Sequence, residues 1–140
     1  MNLAELEQKA AQMLAGARTV DVASVTAGGY PRPCVVVPIK TEGFGSLWFS
    51  TGTSSRKTAQ FRENPKAGVC YQDGKNSVTL LGEAMVVEDA AVKKALWQSW
   101  MQEHFPQGAD DPEYCLIRFQ AKEATYWIDG VFMTRVYEAE

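Results

Sequence analysis

Apolar positions recur at Leu3, Leu6, Ala10, Met13 and Leu14, the spacing of one helix face, and Gly16 supplies a stop. The period then changes. TVDVASVT alternates through Val20, Val22 and, after a shift, Val25; AGGYP is turn material; PCVVVPIK returns as a second strand. Residues 18–40 therefore read as a hairpin. Pro31, Pro33 and Pro38 cannot donate to a central ladder, which makes the second strand an edge or bulged one. TEGFG turns the chain into a third strand, SLWFST, and SSRKTAQFREN takes up helical spacing until Asn64–Pro65 stops it. AGVCYQ and SVTLLGEAMVVE follow as strands around the turn DGKN. Asp89 caps a helix predicted across AAVKKALWQSWMQEHF, with Val92, Leu96, Trp100 and Phe105 on one face and Trp97 and Trp100 packing it on the barrel. A Pro, Gly and Asp-rich loop at 106–112 leads to YCLIRFQAKEATYWI and VFMTRVYE, joined by the turn Asp129–Gly130.

The sum is six to seven strands, mostly hairpin-connected, with about three flanking helices. Sequential strands without regular helical crossovers predict a mainly β, antiparallel barrel rather than a doubly wound sheet. No repeat or linker interrupts the chain, so residues 1–140 read as a single domain.

Composition narrows the function classes. A formal net charge of -3 argues against nucleic-acid binding as the main task, since such domains carry a basic surplus. No apolar run is long enough to cross a bilayer, and the N-terminus lacks the basic start and apolar block of a secretory signal. The three cysteines, Cys34, Cys70 and Cys115, include no CxxC pair, so no disulfide framework or zinc cluster is expected. They read as buried small hydrophobes in a cytoplasmic protein. His104 is the only histidine. That excludes a multi-histidine metal site and leaves a Ser–His–Asp triad without support; it reads as a surface residue.

One stretch carries more polar groups than its structure needs. STGTSSRK places Thr51, Thr53, Ser54 and Ser55 between a strand and a helix starting near Arg56, of which Ser54 or Ser55 suffices as a cap. Arg56 and Lys57 then sit in the first helical turn, where each cation costs about 0.3–1 kcal/mol unless an anion offsets it. Hydroxyls, outward backbone N–H groups and two cations suit a phosphate. Arg32, in YPRPCVVVP, reaches the same pocket if its strand neighbours SLWFS in the sheet.

The segments GGYPRPCVVVPI, LWFSTGTSSRKTAQFRENPKAGVCY, SVTLLGEAMVVED and ATYWIDG, in this order, resemble the FMN-binding split-barrel superfamily that includes pyridoxamine 5'-phosphate oxidase. The resemblance is nearest to its short branch of general stress protein 26-like proteins. It implies a homodimeric flavoprotein with FMN in a groove between subunits. The residues it assigns to the FMN phosphate are Arg32, Arg56 and Lys57, helped by Ser50, Thr51 and Ser55. The backbone of Pro33, Cys34, Val35 and Val36 would run beside the isoalloxazine ring. Ser77 falls where relatives often present a glutamine, and Trp127 near a flavin-contacting tryptophan. The departures matter equally. True oxidases grip the substrate phosphate with an arginine-leucine-histidine motif, whereas VFMTRVYE has Met133 where the first arginine would stand, no histidine, and Arg135 as its one cation. Pyridoxamine phosphate oxidation is therefore rejected. The expectation is a small oxidoreductase passing hydride or electrons from a reduced nicotinamide, NADH or NADPH, through FMN. The alternatives are a non-enzymatic FMN-binding stress-response protein and a deazaflavin-binding relative. Haem, which some relatives hold, is disfavoured by the lone His104.

Overall fold

Asn2 opens the first helix, α1 (Leu3–Ala15), with a capping box: its side chain accepts from Glu5 N–H at 2.9 Å, and the Glu5 carboxylate accepts from Asn2 N–H at 3.0 Å. Leu6, Ala10 and Leu14, on the face the spacing predicts, are fully buried, and Gly16 ends the helix. The computed structural model describes residues 1–137. Eight antiparallel strands follow α1: β1 (Val20–Val25), β2 (Pro31–Val36), β3 (Lys40–Glu42), β4 (Ser46–Gly52), β5 (Lys66–Asp73), β6 (Asn76–Val87), β7 (Tyr114–Ile128) and β8 (Val131–Val136). Two further helices, α2 (Arg56–Glu63) and α3 (Ala90–Ala95), flank them.

The strands bond in the order β2-β1-β5-β6-β7-β4-β3, with β8 also on β7, and the path does not close. This is the expected antiparallel split barrel. Its additional strand is β3, three residues long and too short to show a period. β7 organises the whole. One side pairs with β6 from Leu116 to Trp127, while the other pairs first with β4 through Tyr114–Gln120 and then with β8 through Glu123–Ile128. The exchange of partners falls beside a bulge between Leu81 and Gly82. A Cβ on Gly82 would lie 2.1 Å from the Gln120 carbonyl oxygen, so this close crossing requires glycine.

The main core fills the barrel with Leu6, Leu14, Leu47, Phe49, Leu80, Phe119 and Tyr126. A second, smaller core lies under α3, where Met101, Phe105, Tyr114 and Leu116 pack with Trp48 and Trp97. Here the chain departs from the expected continuous helix. Asp89 does cap α3, accepting from Ala91 and Val92, but the helix ends at Ala95 and Gln98 is extended at φ -125°, ψ 144°. A 3-10 turn (Ser99–Glu103) follows. The break is held locally: Gln98 donates to the Ile39 carbonyl at 3.2 Å and accepts from the Trp100 indole at 2.6 Å. It also rotates the sequence. Trp97, 5.2 Å from the Tyr114 ring, and Phe105 keep their places in the core, but Met101 turns inward and Trp100 turns out. Only Cys115 is fully buried; Cys34 and Cys70 are partly exposed, which corrects the reading of all three as interior.

Candidate functional site

The stretch between β4 and α2 forms two hydrogen-bonded clusters. In the first, Ser55 caps α2 by accepting from Thr58 N–H at 3.3 Å, and its hydroxyl also meets Thr51 Oγ1 at 3.1 Å and Thr58 Oγ1 at 2.9 Å. Thr58 donates onward to the Gly52 carbonyl at 2.6 Å. Lys57 Nζ, from the first turn of α2, donates to Thr51 Oγ1 at 3.4 Å. In the second, Glu113, just before β7, accepts from Thr53 Oγ1 at 2.9 Å, Ser54 N–H at 3.2 Å and Ser54 Oγ at 2.5 Å. Those bonds, Ser54's hydroxyl first and Thr53's next, hold the Glu113 carboxyl below its ordinary range. Half of the apparent donor surplus therefore serves an internal carboxylate. Glu113 and Thr53 lie far apart in sequence, and no local spacing announces the pair. The approach again needs a glycine, since a Cβ on Gly52 would meet Glu113 Oε2 at 2.3 Å.

Beside these clusters lies a groove of about 410 Å³, within the usual range for small-ligand sites of about 300–1,000 Å³. Val35, Val36 and Val37 form one wall, Ser50, Thr51, Gly52, Lys57 and Glu113 the floor, and Trp100, His104 and Phe105 the other wall. Of the residues expected from sequence, the groove unites Val35, Val36, Ser50, Thr51 and Lys57, with Ser55 hydrogen-bonded to its floor. β2 is an edge strand, as its prolines require. Pro31 and Pro33 have no N–H to give, so their backbone is tolerated on the side away from β1. Alternation turns Val35 to that same open side, leaving its amide and carbonyl for a ligand.

The other expected residues lie outside this groove. β2 and β4 are not sheet neighbours, so the condition set for Arg32 fails. Arg32 instead pairs with Ser24 across β1, on the face where Ser24 donates to Gln60 of α2 at 2.5 Å. It thus approaches the region from the α2 side. Cys34 shares that face, Pro33 the opposite one, and Arg56 is exposed on the first turn of α2. Ser77 and Trp127 face each other across β6 and β7, with Phe132 beyond on β8. Twelve residues of β7 separate Trp127 from Cys115, the partner of Thr51, a contour of roughly 40 Å. Trp127 is 56% and Phe132 66% exposed. The groove also contains residues that sequence reasoning missed. His104 is at the surface, as expected, but at the groove's rim, and Trp100 stands beside it; their i, i+4 spacing was the available signal.

A second groove, of about 560 Å³, has an apolar surface from Ala23, Val25, Pro31, Leu81 and Val136, with Lys66, Glu83, Lys122 and Glu123 also lining it. Among the described residues, no helix is long and apolar enough to cross a membrane.

The family profile described as pyridoxamine 5'-phosphate oxidase like matches residues 8–139. No curated protein matches the sequence. Among solved structures, the chain is similar to a protein related to general stress protein 26 from Clostridium acetobutylicum, with 25% identity, 94% of each chain covered and a TM-score of 0.84. It is also similar to general stress protein 26 from Bacillus anthracis, with 24% identity over 96% of this chain and 100% of that one, at a TM-score of 0.74. A pyridoxamine 5'-phosphate oxidase-related, FMN binding protein from Nostoc punctiforme shares the fold at 15% identity, covering 98% of this chain and 95% of its own, with a TM-score of 0.69.

Proposed function

The chain belongs to the pyridoxamine 5'-phosphate oxidase-like family, in its general stress protein 26-like branch, and on that premise we propose that it is an FMN-binding homodimer acting as a small oxidoreductase. The observation that carries this reading is the groove where Lys57, Thr51 and the capped start of α2 meet the open edge of β2. The donor set fits a phosphate monoester: the Lys57 ammonium and the positive end of a helix dipole, in a floor whose Thr51 and Ser55 hydroxyls are bonded to each other. Arg56 flanks it from the same helical turn, and Arg32 from the α2-facing side of β2. The Val35 backbone and its exposed neighbours provide a rim with apolar surface and unpaired amide polarity, which suits the edge of an isoalloxazine ring.

FMN, when bound, supplies hydride or electron transfer, and NADH or NADPH is the proposed donor. The protein's part is anchoring, orientation and exclusion of water. The phosphate contacts fix the tail, and no side-chain acid or base is required for hydride transfer.

The homodimer is part of the same proposal. Ser77 and Trp127 do not line the groove of their own chain and lie toward the other end of β7. A second copy, docked on the apolar face around Leu81 and Val136, brings its own Trp127 to that groove. The exposed side chains of Leu81, Val136, Trp127 and Phe132 support this choice of face.

Titration with FMN and riboflavin tests the cofactor, and anaerobic addition of NADH or NADPH tests the chemistry. The reading expects FMN to bind well above riboflavin and the bound flavin to bleach rapidly with a reduced nicotinamide. Equal affinity for both flavins removes the phosphate assignment. Unchanged absorbance with both donors removes the oxidoreductase and leaves a flavin carrier.

A further inference from the structure

The wall of the groove facing β2 is built from a segment expected to be part of a continuous helix. The break at Gln98 buries Met101 and Phe105 and leaves Trp100, 39% exposed, and His104 on the groove side. Both are held there. The Trp100 indole N–H is fixed on Gln98 Oε1 at 2.6 Å, and the His104 ring stands edge-on to Trp100 with centroids 6.2 Å apart. His104 N–H closes the turn on the Met101 carbonyl at 2.9 Å. Across the groove, Glu113 is engaged by Thr53 and Ser54, leaving Lys57 as the cation on the floor. An imidazole at the opposite rim is the next donor that an anion in this groove meets.

We propose that Trp100 and His104 form the second wall of the ligand site, His104 as a further contact to the phosphate and Trp100 as a contact to the ligand's apolar body. This rests on the FMN reading and extends it to residues outside the sheet. The two roles separate by ligand. Removing His104 acts only on ligands carrying phosphate, whereas removing Trp100 acts on the body common to FMN and riboflavin.

The test is a pair of dissociation constants for each variant. His104→Ala raises the FMN value about 10-fold and leaves riboflavin within about twofold, the size of one lost charge-assisted contact. Trp100→Ala raises both by the same factor, about 5-fold, and Trp100→Phe restores most of it. Because both side chains are exposed and the turn's backbone bond survives in each variant, folding is retained, and circular dichroism checks this. A second readout needs no mutation: as the sole histidine, His104 gives one Hε1 resonance, which shifts on adding FMN or inorganic phosphate and less with riboflavin. An unchanged FMN-to-riboflavin ratio in His104→Ala, or a resonance indifferent to FMN, overturns the proposal while leaving the cofactor reading intact. Wild-type protein that binds neither flavin overturns both.

Discussion

At its Tyr114 end β7 leaves a polar loop in which Thr51, Thr53, Ser54 and Ser55 all have hydrogen-bond partners within the chain. At its Ile128 end the same strand carries Trp127 against Phe132, rings 6.1 Å apart, both more than half exposed among the described residues. One end is a polar site nearly complete by itself. The other is an apolar surface whose residues stay half in water. Polar groups must be satisfied locally because orphaned donors are costly, so the loop folds onto Glu113 and the α2 cap. Apolar surface has no such local remedy and waits for another surface to cover it. The contrast is the one expected of the proposed dimer, in which the polar end of one copy meets the apolar end of another.

The bulge where β7 changes partners holds the two ends in register, so it gives the largest expected effect. Gly82→Ala forces a Cβ against the Gln120 carbonyl and costs about 3 kcal/mol, lowering Tm by roughly 10 °C. Thermal unfolding checks this, and unchanged stability would show that the crossing is looser than described. Next comes the apolar end alone. Leu81→Glu puts a charge in the proposed interface and weakens self-association at least about 100-fold, read as a shift from dimer to monomer mass in sedimentation, with the monomer still folded. FMN and riboflavin affinity then fall together. A variant that remains dimeric contradicts the choice of face.

The polar end responds differently. Arg56→Ala with Lys57→Ala removes the Lys57 contact, worth about 1.5–3 kcal/mol, and a flanking charge, so FMN binding weakens by about one to two orders of magnitude while riboflavin and dimer mass hold. The smallest effect concerns Glu113. Its carboxyl is depressed by the Ser54 and Thr53 hydrogen bonds, so its contribution is complete above the ordinary value of 4.5 and lost as pH falls through the lower folded value. Exchange of the Ser54 amide should therefore accelerate below that pH relative to other loop amides. Glu113→Gln should flatten this excess, and an identical profile in the variant would assign the loss to another group.

Much of this arrangement could be read along the chain, and the failures have a common cause. The hairpin of β1 and β2 was legible because its prolines restrict hydrogen bonding wherever the strand lies, and that places it at an edge. The strand, cap and cationic first turn around Ser55 were legible for the same reason: each signal is local. Trp100 was misplaced because a 3.6-residue period groups it with Val92 and Leu96, whereas Gln98 leaves the helix and finds partners on Ile39 and Trp100. Glu113 was invisible because its partners lie in a loop remote in sequence, brought close by β4 pairing with β7. The expected adjacency of Arg32's strand to β4 failed on sheet order, which alternation within a strand does not specify.

The proposed division of the site between two copies is tested most directly by mixing. One chain carries Arg56→Ala and Lys57→Ala, the other Trp127→Ala, and each homodimer binds FMN poorly. If the groove of one copy uses the Trp127 of the other, re-associated mixed dimers hold one intact site apiece. High-affinity FMN binding then returns, at up to half the wild-type capacity per dimer. If the mixture binds no better than the average of its two parents, the site does not cross the interface, and the proposed dimeric flavin site is wrong.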